Sequence, residues 1–127
     1  MLDWEEFRSL QVAFLRASTP DSEIPTDHAI VSTLKIEAAR LGIPVVLGTN
    51  YASESILPKA WSQGYSDWAY IRNVNKKFGN KRLKTFPHIG FLKGFYINRI
   101  KRQKIYSLLD YIDYDKEKAK QYLIREL

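Results

Sequence analysis

Apolar side chains recur at three- and four-residue steps through Trp4, Phe7, Leu10 (or Gln11), Phe14 and Leu15. That spacing predicts an amphipathic helix from Asp3 to about Ala17, capped by Asp3, with its aromatic residues in the core. The rhythm breaks at Thr19-Pro20-Asp21-Ser22-Glu23-Ile24-Pro25, which reads as a loop. Thr26 is then a suitable N-cap, and Ala29, Ile30, Thr33, Leu34, Ile36 and Ala38 carry a second helix to Leu41, with Gly42 as its stop. At Ile43 the pattern changes again. Ile43-Pro44-Val45-Val46-Leu47 is a short apolar run of the kind expected for a strand buried on both faces. A helix running straight into such a strand argues for an α/β domain built on a parallel, doubly wound sheet.

The run ends at Gly48, where the chain must turn or allow close approach to its backbone. Thr49, Asn50, Ser53 and Glu54 follow. In open α/β sheets ligands bind at the carboxyl ends of strands. An ordinary βα turn would look the same, with Asn50 or Ser53 capping the next helix and Glu54 near its positive end. Asp27 and His28 pose a similar choice: anion binding by free N–H groups at a helix start, or a dipole-complementing acid beside a packing histidine. Further on, Ile56-Leu57-Pro58 closes a short helical turn, and Trp61 and Tyr65 lie in a glycine-containing connection. Trp68, Ile71, Val74 and Phe78 predict a helix from Asp67 that ends in Lys76-Lys77-Phe78-Gly79. Residues 81–87 read as extended, 91–100 as helical and 105–112 as a final strand. A last helix starts near Asp115, capped by it or by Asp113. No internal repeat, low-complexity tract or flexible linker interrupts this order.

With 127 residues the chain is one domain at most. It has no cysteine, which removes disulfides, thiolate metal sites and a cysteine nucleophile. Two histidines, His28 and His88, are too few for a multi-histidine metal centre. No apolar run is long enough to span a bilayer and the start is acidic, so a cytoplasmic protein is the default expectation. Charge adds one feature. Of the net charge of +6, much sits between Trp68 and Leu109, where eleven Lys and Arg residues meet no Asp or Glu and alternate with aromatic rings. Such a segment suits a phosphorylated small molecule or nucleic acid, or is a solvated face balanced from elsewhere.

Several stretches together resemble the N-acetyl sugar amidotransferases, PP-loop ATP pyrophosphatases of bacterial surface-polysaccharide (lipopolysaccharide and O-antigen) biosynthesis. They are Asp3-Trp4-Glu5-Glu6, Ile24-Pro25-Thr26-Asp27-His28-Ala29-Ile30, the run from Gly48-Thr49-Asn50 to Leu57-Pro58, and Lys76-Lys77-Phe78-Gly79 with Leu83-Lys84-Thr85-Phe86-Pro87. The resemblance covers nearly the whole chain, in order. It implies that ATP, with Mg2+, activates the acetamido oxygen of a nucleotide-linked N-acetyl sugar, and that ammonia from a glutaminase partner then leaves an acetamidino group. It also implies roles by position in the motifs. Asp27, His28 and Glu54 are the candidate catalytic residues. Gly48, Thr49, Asn50, Ser53, Lys76, Lys77 and Lys84 are the candidates for nucleotide or substrate, and Glu54 is the candidate magnesium ligand.

The family's Ser-Gly-Gly-x-Asp-Ser loop is absent from this sequence. The resemblance therefore implies that the chain is the C-terminal part of a synthetase domain. The expected fold is an incomplete parallel-sheet, adenine-nucleotide α-hydrolase-like (Rossmann-like) domain with helices flanking the sheet, and the family's last residues would follow Leu127. Such a chain alone is expected not to turn over ATP, and its uncovered surfaces point to a homo-oligomer. Two rivals remain: a basic nucleic-acid-binding module, and a fragment of a tRNA-modifying PP-loop enzyme. Nucleic acid is not the expected partner, because no nucleic-acid motif accompanies the charge.

Overall fold

The computed structural model describes residues 2–49, 64 and 66–127. Helix α1 (Trp4–Arg16) is capped as its sequence predicts, with the Asp3 carboxylate accepting from the Glu6 N–H. One side of α1 is wholly buried at Leu10, Ala13 and Phe14. The outer ends of the predicted stripe are not. Trp4 is 66% exposed and Leu15 60%, so the core takes a narrower face of α1 than the spacing suggested.

Helix α2 (Ile24–Leu41) starts two residues before the expected Thr26 cap. Pro25 sits in its first turn, where the ring's fixed φ suits a helix and no N–H is lost. The Asp27 N–H is thereby already used, bonding to the Glu23 carbonyl. Gly42 ends the helix in the left-handed region (φ 71°), as its position implied. Ala29, Ser32, Ala38 and Ala39 are buried, while Ile30, Leu34 and Leu41 face outward.

Strand β1 (Val45–Leu47) pairs in parallel with β2 (Ile105–Ser107), in the register Val45 to Ile105 and Leu47 to Ser107. The parallel direction agrees with the sequence pattern. Burial on both faces does not: Val45 is 6% exposed but its neighbour Val46 is 58% exposed. Among the described residues β1 is covered on one face only. The expected strand over 105–112 is also shorter, because a 3₁₀ turn (Leu108–Tyr111) replaces its second half.

Helix α3 (Trp68–Phe78) is capped by the Asp67 carboxylate, which accepts from the Tyr70 N–H. Gly79 follows it with φ −85°, so its role is close approach and not a left-handed stop. A Cβ there would lie 2.7 Å from the Asn75 carbonyl oxygen. Residues 81–87 form an irregular loop and no strand. Helix α4 (Phe91–Phe95) continues directly into a π-helical turn (Tyr96–Ile100). Helix α5 (Lys116–Glu126) is capped by Asp115 and buries none of its side chains.

The core gathers Leu10, Ala13, Phe14, Ile24, Ala29, Ile71, Val74 and Phe86, so α1 is wedged between α2 and α3 and roofed by the loop that follows α3. The result is a mixed α/β chain with a small parallel strand pair.

Candidate functional site: a cationic, aromatic cleft

The start of α1 fixes the 81–87 loop. Glu6 is 8% exposed, and its Oε2 accepts from the backbone N–H groups of Lys84 (2.8 Å), Thr85 (2.8 Å) and Phe86 (3.2 Å). The Thr85 hydroxyl donates to the same oxygen at 3.2 Å and accepts from the Asp3 N–H at 2.9 Å. A carboxylate gathering several N–H donors replaces the partners that a strand would have given them. This grip spans about 80 positions of sequence, and no local pattern announces it.

Held in this way, the loop places Phe86 and His88 beside Trp68 and His28. The rings form a near-parallel array: Trp68 to His88 at 4.2 Å, Trp68 to Phe86 at 6.1 Å, and His28 to Trp68 at 5.7 Å. His28 is 2% exposed, at the base of the array. The His88 Nδ1 lies 3.0 Å from the Phe86 carbonyl oxygen. A carbonyl can only accept, so Nδ1 carries the proton and a neutral His88 keeps its lone pair on Nε2. That ring can accept a proton without breaking the bond that orients it.

His28, Trp68 and His88 border a cleft of ≈ 960 Å³, walled on one side by α2 and α3 and on the other by residues 88–99. Its described lining includes the cations Lys35, Arg72, Lys93 and Arg99, and a single carboxylate, Asp67, which already serves as the α3 cap. A second hollow of ≈ 500 Å³ shares Trp68 and Arg72 with the first and is bordered by Lys76, Lys81 and Arg82. Both volumes lie in the range of small-molecule sites.

The residues singled out from sequence are dispersed. His28 lines the main cleft and Lys76 the second hollow. Lys77 lies over the Phe78 ring at 5.3 Å. Lys84 is tied by its backbone to Glu6, with its side chain exposed. Gly48 and Thr49 lie at the end of β1, where the Thr49 carbonyl accepts from the Leu109 N–H. Asp27 sits near Asp21 and Glu23. Partial burial first, and then those two acids, raise its pKa above the ordinary 3.8. Asn50, Ser53 and Glu54 lie outside the described residues. Sequence reading missed the assembly of His88, Trp68, Arg72 and Arg99 around His28; their one-signed, aromatic segment was the available signal.

Among the described residues no three His, Asp or Glu side chains gather within reach of one metal ion. A magnesium ion in the cleft would need carboxylates from outside its described part or oxygens of a bound phosphate. No family model, curated protein or solved structure matches the chain.

Proposed function

We propose that the chain belongs to an ATP-dependent amidotransferase acting on a nucleotide-linked N-acetyl sugar, and that the cleft holds that sugar nucleotide. The observation that carries the reading is the cleft's lining, where the described residues set four cations and the stacked Trp68 and His88 rings against one already committed carboxylate. A sugar nucleotide has a matching layout, with a diphosphate between a flat base and a sugar. Arg72 and Arg99 would take the diphosphate, since guanidinium groups bind phosphate oxygens in pairs. The Trp68–His88 face would pack against a ring. His88 Nε2 would receive a proton as ammonia adds to the activated acetamido carbon and AMP leaves with the acetamido oxygen. The ATP phosphates are not assigned to described residues. In this reading the parallel strand pair belongs to a nucleotide α-hydrolase-type sheet, and a glutaminase supplies the ammonia.

Titration calorimetry of the 127-residue chain with a uridine-diphosphate N-acetylhexosamine tests the proposal. Saturable binding is expected, weakened about tenfold in Arg72→Ala and again in Arg99→Ala, the usual loss for a charged hydrogen bond. No binding at millimolar ligand would overturn it. So would a preference for structured RNA that survives physiological salt, which would favour the nucleic-acid alternative.

A further inference from the structure

Residues 91–100 present an exposed apolar surface at the edge of the cleft. Phe91 is 87% exposed, Leu92 80%, Phe95 55%, Tyr96 49% and Ile100 63%. Phe91 with Phe95 and Leu92 with Tyr96 form adjacent i, i+4 rows on one side of the helix, and Ile100 ends the π-helical turn that follows. The opposite side is anchored: Ile97 is 3% exposed, and a Cβ on Gly94 would meet Ile89 at 3.4 Å. The helix is therefore fixed to the body by one face and presents Phe, Leu, Tyr and Ile to the outside. Cations lie within this segment and directly after it in sequence. Lys93 and Arg99 lie within the helix and Lys101, Arg102 and Lys104 directly follow it, all exposed and none in an ion pair among the described residues.

We propose that this face seats the protein on an anionic phospholipid surface, with Phe91, Leu92, Phe95 and Ile100 entering the headgroup boundary and the cations resting on lipid phosphates. Apolar side chains beside unpaired cations are the combination that interfacial helices use. No acidic residue lies between Trp68 and Leu109 to oppose the approach. A second copy of the chain is a poor occupant, because pairing this face with itself would set the same cations against each other. RNA would reward the cations and rings, yet it offers nothing to Leu92 or Ile100. Phe91, Leu92, Lys93, Phe95 and Arg99 also line the cleft, so the two readings share this helix, and vesicle retention and sugar-nucleotide titration test them separately.

Co-sedimentation of the full chain with vesicles separates the cases. Retention is expected on phosphatidylglycerol–phosphatidylcholine vesicles, with little on phosphatidylcholine alone, and it should weaken as salt rises. The double variant Phe91→Glu, Leu92→Glu should lose about tenfold or more of the affinity. Lys101→Glu with Lys104→Glu should lose a similar factor on anionic vesicles only. Both pairs are surface changes, and unaltered circular dichroism and melting would certify the fold. Absence of retention on anionic vesicles at low salt would overturn the proposal. So would retention indifferent to Phe91→Glu, Leu92→Glu, equal retention on neutral vesicles, or light scattering that shows this face buried in a dimer.

Discussion

The segment from α1 through the loop at Phe86 and the segment after it are built on opposite terms. In the first, three helices share a core that includes Leu10, Phe14, Ile71 and Phe86, each at most 2% exposed, and a buried carboxylate ties the loop down. In the second, a ten-residue helix, a three-residue strand and a terminal helix together bury Ile97 as their one fully enclosed apolar residue among those described. Composition does not explain this, since the later segment has its share of Phe, Tyr, Leu and Ile. What differs is whether the faces find partners. The first region spends its apolar residues on cohesion, and the second keeps them available at its surface. The cleft lies where the two meet and draws on both: His28, Lys35, Trp68 and Arg72 come from the first segment, and His88, Phe91, Lys93, Phe95 and Arg99 from the second.

The contrast is broken most severely at Phe14. This ring is fully enclosed and meets Tyr70 edge-on at 5.8 Å. Phe14→Ala should destabilise the chain by about 3–5 kcal/mol, the usual cost of emptying such a site. Leu123→Ala in α5, where the side chain is 55% exposed, should cost under about 0.5 kcal/mol, as exposed substitutions do. Urea unfolding followed by circular dichroism measures both. Similar losses at the two sites would mean that α5 is as much a part of the cooperative core as α1.

Next in size is Glu6, which joins α1 to the wall of the cleft. Glu6→Ala orphans the N–H groups of Lys84, Thr85 and Phe86. A loss of roughly 2–4 kcal/mol is expected, since each buried donor left unpaired costs about 1–3 and solvent repairs the outer ones. Glu6→Gln keeps an acceptor oxygen and should recover part of that. Because the loop positions Phe86 and His88, Glu6→Ala should also weaken sugar-nucleotide binding under conditions where the chain is still folded. If stability fell while binding held, the cleft would not depend on this grip.

These interactions show what a sequence can and cannot disclose. Asp3 was legible as a cap, Asp115 as one of two candidates with Asp113, and Gly42 as a stop, because each acts within a turn of its own position. The start of α2 was misplaced because Pro25 permits an earlier first turn than the threonine signal implied. Periodicity marks a face but does not name what covers it, so Trp4 and Val46 read as core and stand exposed. The Glu6 grip and the His28–Trp68–Phe86–His88 array join positions far apart in the chain, and neither charge nor spacing encodes such meetings. Thus the helices were visible and the site was not, except as a run of cations and rings.

The smallest expected effect lies in the first region, at Asp27. Partial burial, then Asp21 and Glu23, hold its pKa above 3.8, so its ionised form is the disfavoured one in the folded chain. In the window that opens at 3.8 and closes at the raised value, the folded state keeps a proton that the unfolded state has released. Stability from this group therefore falls as pH rises through that window, and the cost persists at neutral pH. Tyr70, raised above 10.0 by burial and by Asp21, has the same sign at the alkaline end. Asp27→Asn should remove the acid-side slope and leave the chain equal to or slightly more stable than the parent at pH 7. Urea midpoints taken from pH 3.5 to 7 would read it. A variant less stable at pH 7 would mean that the attraction of Asp27 to the α2 N-terminus outweighs its crowding by Asp21 and Glu23.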